Sequence, residues 1–287
     1  MVLRSRHKGL SETLLQIVMS QIEIKFNKLK EILLSFESVM LAYSGGVDST
    51  FLLKVSKEVL GNAVVAVTAV SPLYPAHEIE QAVNSAIAFN ATHLTLENNA
   101  LSDSAFVNNS PDRCYICKKN LFLKIQSLAA QKKYSVVIDG TNADDKHCFR
   151  PGMRALEELG IRSPLKDSDL TKDDIRVLSK KLGLSTWNKP SCACLASRFP
   201  YGVKIIEADL IQVEKAESFM RKKYRDIQVR VRHYGDTARI EVFPEQFDIL
   251  LDKRNRNEII ITFKNIGYTY VTFDLEGYRT GSMDEVL

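Results

Sequence analysis

Apolar and polar positions along this chain follow two periods in turn. A polar leader to about residue 35 has helical character, and after it short β-branched runs alternate with segments of helical period. That alternation is the signature of a parallel sheet covered by helices. Val39 to Tyr43 reads as a buried strand, Ser44 to Asp48 as a tight loop, and Ser49 to Leu60 as a helix with Phe51, Leu52, Val55 and Leu60 on its apolar face. Strands are expected at Ala63 to Val70, His93 to Leu96 and Ser135 to Asp139, with helices at Ala76 to Phe89 and Lys118 to Gln131. The plan is doubly wound α/β. Further helices are expected at Met153 to Leu159 and Thr171 to Leu182, the second with Thr171 as N-cap and Asp173 and Asp174 favoured by the positive helix end.

Beyond about residue 200 the pattern changes. A helix at Ile206 to Lys223 precedes strands at Ile227 to His233 and Ala238 to Val242, a helix near Pro244 to Asn257, and a strand at Tyr268 to Asp274. This reads as a smaller α+β domain for substrate or assembly, joined through Arg198-Phe199-Pro200-Tyr201-Gly202. The expected division is a helical leader over 1–35, an α/β domain over 36–199 and a C-terminal domain over 200–287. No internal repeat or low-complexity tract interrupts it.

Composition narrows the class. The longest apolar runs, such as Ala63 to Val70, fall far short of the roughly 20 residues that span a bilayer. Glu12, Gln16 and Gln21 break any hydrophobic segment a secretion signal needs, so a cytoplasmic protein is expected. A net charge of +4 suits phosphate handling without demanding nucleic acid. The five cysteines, grouped as Cys114/Cys117, Cys148 and Cys192/Cys194, do not form a secreted disulfide pattern and point to metal or redox chemistry.

The first loop carries the clearest chemistry. In Ser44-Gly45-Gly46-Val47-Asp48-Ser49 the glycines permit close backbone approach, while Ser44, Ser49, Thr50 and the helix N-terminus offer donors to phosphate. Asp48 in an anion-binding loop makes sense as a magnesium ligand, because the metal reverses the local electrostatic preference. No Gly-Lys-Ser/Thr ending follows, so chemistry at the α-phosphate is expected in place of γ-phosphate hydrolysis. An ordinary capped strand-to-helix turn is the plainer alternative. The six residues resemble the PP-loop of the N-type ATP pyrophosphatase superfamily. That resemblance implies an adenine nucleotide alpha hydrolase-like sheet whose strand exits, here Val70-Ser71 and Asp139-Gly140-Thr141-Asn142, join in binding ATP. The second exit reads equally as a plain Asp-Gly turn.

Two further stretches, Pro111-Asp112-Arg113-Cys114-Tyr115-Ile116-Cys117-Lys118-Lys119 and Asn188 to Gly202, resemble the LarE family of ATP-dependent sulfur transferases. Val229 to His233 and Asp274 to Arg279 extend the likeness, which runs from about residue 36 to the C-terminus. The resemblance implies adenylation of a carboxylate of pyridinium-3,5-biscarboxylic acid mononucleotide with pyrophosphate release, then attack by sulfur and loss of AMP, toward a nickel-pincer nucleotide cofactor. In that family the sulfur comes from a sacrificed cysteine or from an iron-sulfur cluster. The extra Cys114-x-x-Cys117 pair implies the cluster form, with Cys114, Cys117 and Cys194 as ligands of a 4Fe-4S cluster whose open iron accepts sulfide from a donor. Cys192 is the alternative third ligand.

Other roles follow from that likeness or compete with it. Arg230 and Arg232 alternate with Val229 and Val231, so both emerge on one strand face and are expected to clamp the substrate phosphate; an ordinary charged face is the alternative. Arg198 is expected to steady developing negative charge, Arg113 to contact ATP or cap a helix, and Glu241 to serve a metal or a salt bridge. The family also implies a homo-oligomer. A four-cysteine zinc site, a Cys114–Cys117 redox pair and a buried, unpartnered Cys148 are the competing readings of the thiols. A transfer-RNA thiolase of the same superfamily is the alternative function, and a non-catalytic nucleotide-binding scaffold is the alternative class. The chain shows neither the zinc ribbon nor the basic stripe of an RNA-binding module.

Overall fold

The computed structural model describes residues 3–147, 151–224 and 227–287. Cys148 lies outside them. Among the described residues no helix is long and apolar enough to cross a membrane. In chain order the elements are α1 (Leu3–Leu34), β1 (Val39–Ala42), α2 (Val47–Leu60), β2 (Val64–Val70), α3 (Ala76–Ala88), β3 (Thr92–Glu97), α4 (Ser104–Val107), α5 (Arg113–Lys132), β4 (Val136–Ile138), α6 (Pro151–Glu158), α7 (Pro164–Asp167) and α8 (Lys172–Lys181). They continue with α9 (Glu207–Lys223), β5 (Arg230–Tyr234), β6 (Thr237–Glu241), α10 (Phe247–Leu251), α11 (Lys253–Ile266) and β7 (Tyr270–Phe273). The chain forms two compact units: Met1–Ala69 with Glu78–Leu96 and Leu121–Lys189, and Val70–His77 with Glu97–Asn120 and Pro190–Leu287. That partition is discontinuous in sequence, unlike a single cut at residue 200.

The first unit is built on a parallel sheet of order β3-β2-β1-β4. Val39 lies opposite both Val64 and Val136 in the register. Period-2 alternation sends Val39, Leu41, Val64 and Ala66 into one core and Met40, Val65 and Val67 into another, so both sheet faces are covered. The first core is closed by Ile22, Phe26, Leu29 and Leu33 of α1, spaced as one helical stripe, and by Phe51, Leu52 and Val55 of α2. Thr171 caps α8 as expected, in a reciprocal pair with Asp174.

In the second unit β5 and β6 form an antiparallel hairpin and β7 adds to β6 in parallel. Val231, Ala238, Ile240, Met220, Ile259 and Phe263 share its core. The single helix expected near 244–257 is two helices, because Asp252 accepts the amides of Arg254 and Asn255 and caps α11 anew.

This core also holds a buried ion pair. Arg198 donates to Glu217 from Nε at 2.8 Å and from Nη2 at 3.0 Å, and both residues are fully buried. Burial pushes the Glu217 carboxyl up, but the charge and hydrogen bonds of Arg198, with Arg230 and the Val231 amide, hold it down at about 2. A depressed carboxylate contributes stability above its unfolded pKa and loses it as pH falls toward the folded value. The urea midpoint is therefore expected to fall between about pH 4.5 and pH 2, over the span between ordinary and folded values. Glu217→Gln should start lower at neutral pH and lose less on acidification; a flat wild-type profile in that window would contradict the assignment.

Candidate active site

In the first unit the chain leaves β1 at Tyr43, whose amide donates to Val67 O, and turns through Gly45 at φ +70° into α2. A Cβ on Gly45 would stand 2.8 Å from the Ala82 Cβ, so glycine is required here on both conformational and packing grounds. Gly46 is the N-cap of α2 and supplies no side chain, so the amides of the first turn are left for an external acceptor. Inside the loop the Ser44 and Ser49 hydroxyls stand 3.1 Å apart and Ser49 Oγ donates to Gly46 O. Lys189 Nζ donates to Gly45 O at 3.2 Å and is itself fixed by Glu78 at 2.6 Å and Gln81 at 2.9 Å.

Strand order places this loop where ligands gather in open α/β sheets. The connections reverse between β1 and β4, and the crevice at their carboxyl ends is the topological switch point. The segment leaving β4 closes on the loop: a Cβ on Gly140 would lie 3.1 Å from Ser49 N. Asp139 does not face that contact as a free carboxylate, since Thr141 Oγ1 donates to one oxygen at 2.5 Å and Ser163 Oγ to the other at 2.6 Å. These bonds brace the turn.

Asp48, in the first turn of α2, accepts from Lys172 Nζ at 2.6 Å through Oδ2, while its Oδ1 is buried and lacks a close hydrogen-bond partner among the described residues. Burial raises its pKa, Lys172 and the Asn142 side chain oppose the rise, and the Asp145 carboxylate nearby adds to it. Two carboxylates beside one ammonium, one with a buried oxygen that the ammonium does not fill, are chemically suited to a divalent cation. Sequence reasoning missed Lys172 and Asp145; the pairing of an early loop with the first turn of α8 leaves no local signal.

The second unit gathers the cysteines. Ser110-Pro111-Asp112 starts α5 five residues earlier than Lys118, with Arg113 N donating to Ser110 O, so Cys114 and Cys117 lie at i, i+3, about one turn apart at the start of the helix. Arg113 is buried, donates to Asn109 Oδ1 at 2.6 Å, and lies 4.2 Å from the Tyr201 ring centre. Asn109 Nδ2 donates to Pro200 O at 2.7 Å, and Gly202 N to Asn109 O at 3.0 Å. These bonds zip the segment before Cys114 to the segment after Cys194, while Leu195 N donates to Leu73 O. Ser71, the other expected nucleotide contact, opens this Val70–His77 segment and is buried.

Cys114 and Cys192 are exposed, Cys117 and Cys194 half-buried, and none of the four is in a disulfide. Burial and then the neighbouring Cys194 thiol push Cys117 up to about 12, against hydrogen bonding from Asn98, whose Nδ2 is 3.7 Å from its sulfur. Burial and Cys194 also raise Cys114, while Arg113 and Lys118 pull it down. Burial raises the Tyr74 phenol, followed by the charges of Cys117 and Cys194. Three thiols therefore share one electrostatic neighbourhood, with Tyr74 and Asn98 beside them. Among the described residues no three His, Cys, Asp or Glu side chains converge on a single ion site. Three cysteine sulfurs are the ligand chemistry that an iron-sulfur cluster takes.

The arginines are buried and engaged. Arg230 Nη2 donates to Ser191 O at 2.6 Å; Arg232 donates to Ser197 O at 2.9 Å and to Glu241 Oε2 at 2.6 Å. Arg239 adds a bond of 2.9 Å to the other Glu241 oxygen. Glu241 is thus the salt-bridge partner of two arginines, and its fully buried carboxylate is neutralised by them.

No family model matches the chain. It is 38% identical to the pyridinium-3,5-bisthiocarboxylic acid mononucleotide synthase of Lactiplantibacillus plantarum, covering 88% of this chain and 90% of that one. The chain belongs to the LarE family. An uncharacterized protein of Synechocystis sp. is 41% identical over 93% of this chain and 99% of its own length. A third relative, an uncharacterized protein of Methanocaldococcus jannaschii, is 34% identical over 85% of this chain and 92% of its own length. Nearly full coverage in all three means that the LarE resemblance takes in both compact units of this chain.

Proposed function

We propose that this LarE-family chain is an ATP-dependent sulfur transferase that converts a carboxylate of pyridinium-3,5-biscarboxylic acid mononucleotide into a thiocarboxylate. The observation that carries the reading is the 38% identity to the Lactiplantibacillus synthase across 88% of the chain. The placement of Ser44–Ser49 at the sheet's switch point and the grouping of three thiols support it.

In the first half-reaction the helix-terminal amides and the hydroxyls of Ser44, Ser49 and Thr50 hold the phosphates of ATP, with Gly140 and Thr141 at the neighbouring strand exit. Asp48 would hold magnesium, with Asp145 beside it, and the metal would supply charge neutralisation for the departing pyrophosphate. Lys172 supplies a cation to the same phosphates. The substrate carboxylate oxygen attacks the α-phosphorus, the bond to the β-phosphate oxygen breaks, and an acyl-adenylate and pyrophosphate result. In the second half-reaction a sulfur nucleophile adds to the acyl carbon and AMP departs with its electron pair, leaving the thiocarboxylate. Cys114, Cys117 and Cys194 would hold a 4Fe-4S cluster, which supplies an open iron corner for free sulfide. Arg230 and Arg232, which also hold the Ser191 and Ser197 carbonyls, recognise the substrate's phosphate with the donors those bonds leave over.

The deciding experiment is anaerobic incubation of the full chain with ATP, magnesium and the biscarboxylate mononucleotide, following pyrophosphate, AMP and nucleotide product by mass spectrometry. Thiocarboxylate formed with one AMP per sulfur is the expected result. Pyrophosphate release that requires transfer RNA in place of the mononucleotide would sink the assignment. Iron and sulfide analysis of the same sample separates the cluster form from sacrifice of Cys194, which would leave the chain lighter by one hydrogen sulfide.

A further inference from the structure

Residues 190–194 have no regular structure and lead into a single 3-10 turn over Leu195–Arg198. Cys194 O accepts the Ser197 amide at 3.1 Å as the bond that closes this turn. Arg198 Nη1 adds a second hold, donating to Ala193 O at 3.1 Å, Cys194 O at 3.3 Å and Ser197 Oγ at 2.8 Å. Ser197 Oγ in turn donates to Cys194 O at 2.8 Å. The flanks of the segment are held by Arg230 at Ser191 O and Arg232 at Ser197 O.

The opposite edge of Arg198 is locked. Glu217 receives it bidentately, and the same carboxylate accepts the Val231 amide at 3.0 Å and Arg221 Nη1 at 3.0 Å. A buried ion pair gains little stability over well-packed apolar residues of the same volume. What it does provide is direction, because a guanidinium fork fixed on one edge fixes whatever its other edge binds. Arg198 is fully buried, so it does not present a face to an oxyanion in solution.

We infer that Arg198, anchored on Glu217, is a positioning residue that fixes the Ala193–Cys194 backbone and so sets where the Cys194 sulfur stands. The inference rests on the sulfur-transfer reading above and gives Arg198 a different task from the charge stabilisation its sequence position suggests. Arg198→Lys keeps the charge but cannot grip Glu217 and two carbonyls at once. The double variant Arg198→Met/Glu217→Leu removes both buried charges at similar volume.

The test uses the full chain, with circular dichroism as a check of folding. The ratio of thiocarboxylate formed to pyrophosphate released is expected to fall in both variants by about a hundredfold, the size associated with an ångström's displacement of a reacting group. Hydrogen exchange in a peptide spanning 190–199 should speed up in the same variants, a readout independent of turnover. An unchanged ratio in either folded variant overturns the proposal, as does unchanged exchange in that peptide. If the double variant does not fold, Arg198→Lys decides alone. Should the wild type release pyrophosphate without making any thiocarboxylate, the sulfur-transfer reading itself fails, and the exchange measurement still decides whether Arg198 orders the segment.

Discussion

Cys194→Ala is expected to lower thiocarboxylate formation on the order of a thousandfold or more while adenylation, read as pyrophosphate release, persists, because removing a group that acts as a unit with the chemistry removes nearly all of its contribution. The thiol is half-buried beside Cys114 and Cys117, and its backbone is held by Arg198 and Ser197. Cys192, two residues earlier, is exposed. Cys192→Ala should therefore keep most of the product, and the double variant should behave like Cys194→Ala. Under the cluster reading Cys194→Ala and Cys114→Ala also lose iron and sulfide together. Rapid-quench product analysis checks the kinetics and metal analysis the ligation. Product made at the wild-type rate by Cys194→Ala would remove this residue from the mechanism.

Asp48→Asn should cost a hundredfold to a thousandfold in pyrophosphate release, an order-of-magnitude expectation for losing one charged electrostatic contact at developing charge. The change is nearly isosteric, and the amide oxygen can still accept from Lys172, so the loop should keep its shape. What disappears is the negative charge that makes the buried Asp48 Oδ1, which Lys172 does not fill, a candidate for magnesium. Titration calorimetry is expected to show that magnesium no longer tightens ATP binding in the variant. Magnesium-dependent pyrophosphate release at the wild-type rate would falsify the metal role of Asp48.

Much of the fold was legible in the chain. Strand alternation at Val39–Ala42 and Val64–Val70 separates two cores because successive side chains point to opposite faces, and that periodicity is written in residue order. The Thr171 cap and the glycine turn at Gly45 were readable for the same reason: each depends on one or two neighbouring residues. Less local features were misread. The start of α5 moved to Arg113 because the apolar stripe begins after its first turn, leaving only Ser110, Pro111 and Asp112 to announce it. The break at Asp252 was hidden inside a helical pattern that continues on both sides.

The sequence by itself determined the α/β plan, the glycine turn after the first strand and which candidate groups the chain carries, because these follow from short-range period, turn chemistry and residue type. Only the tertiary structure decided that Lys172 meets Asp48, that Glu241 serves two arginines, and that Cys114, Cys117 and Cys194 share one unit. The bonds that bring the thiols together run from Asn109 and Arg113 to a Pro200 carbonyl and a Tyr201 ring, and those that order Cys194 run from guanidinium groups to backbone oxygens. Every residue carries a backbone carbonyl, so which one an arginine chooses leaves no mark in the sequence and is fixed only when the chain is packed.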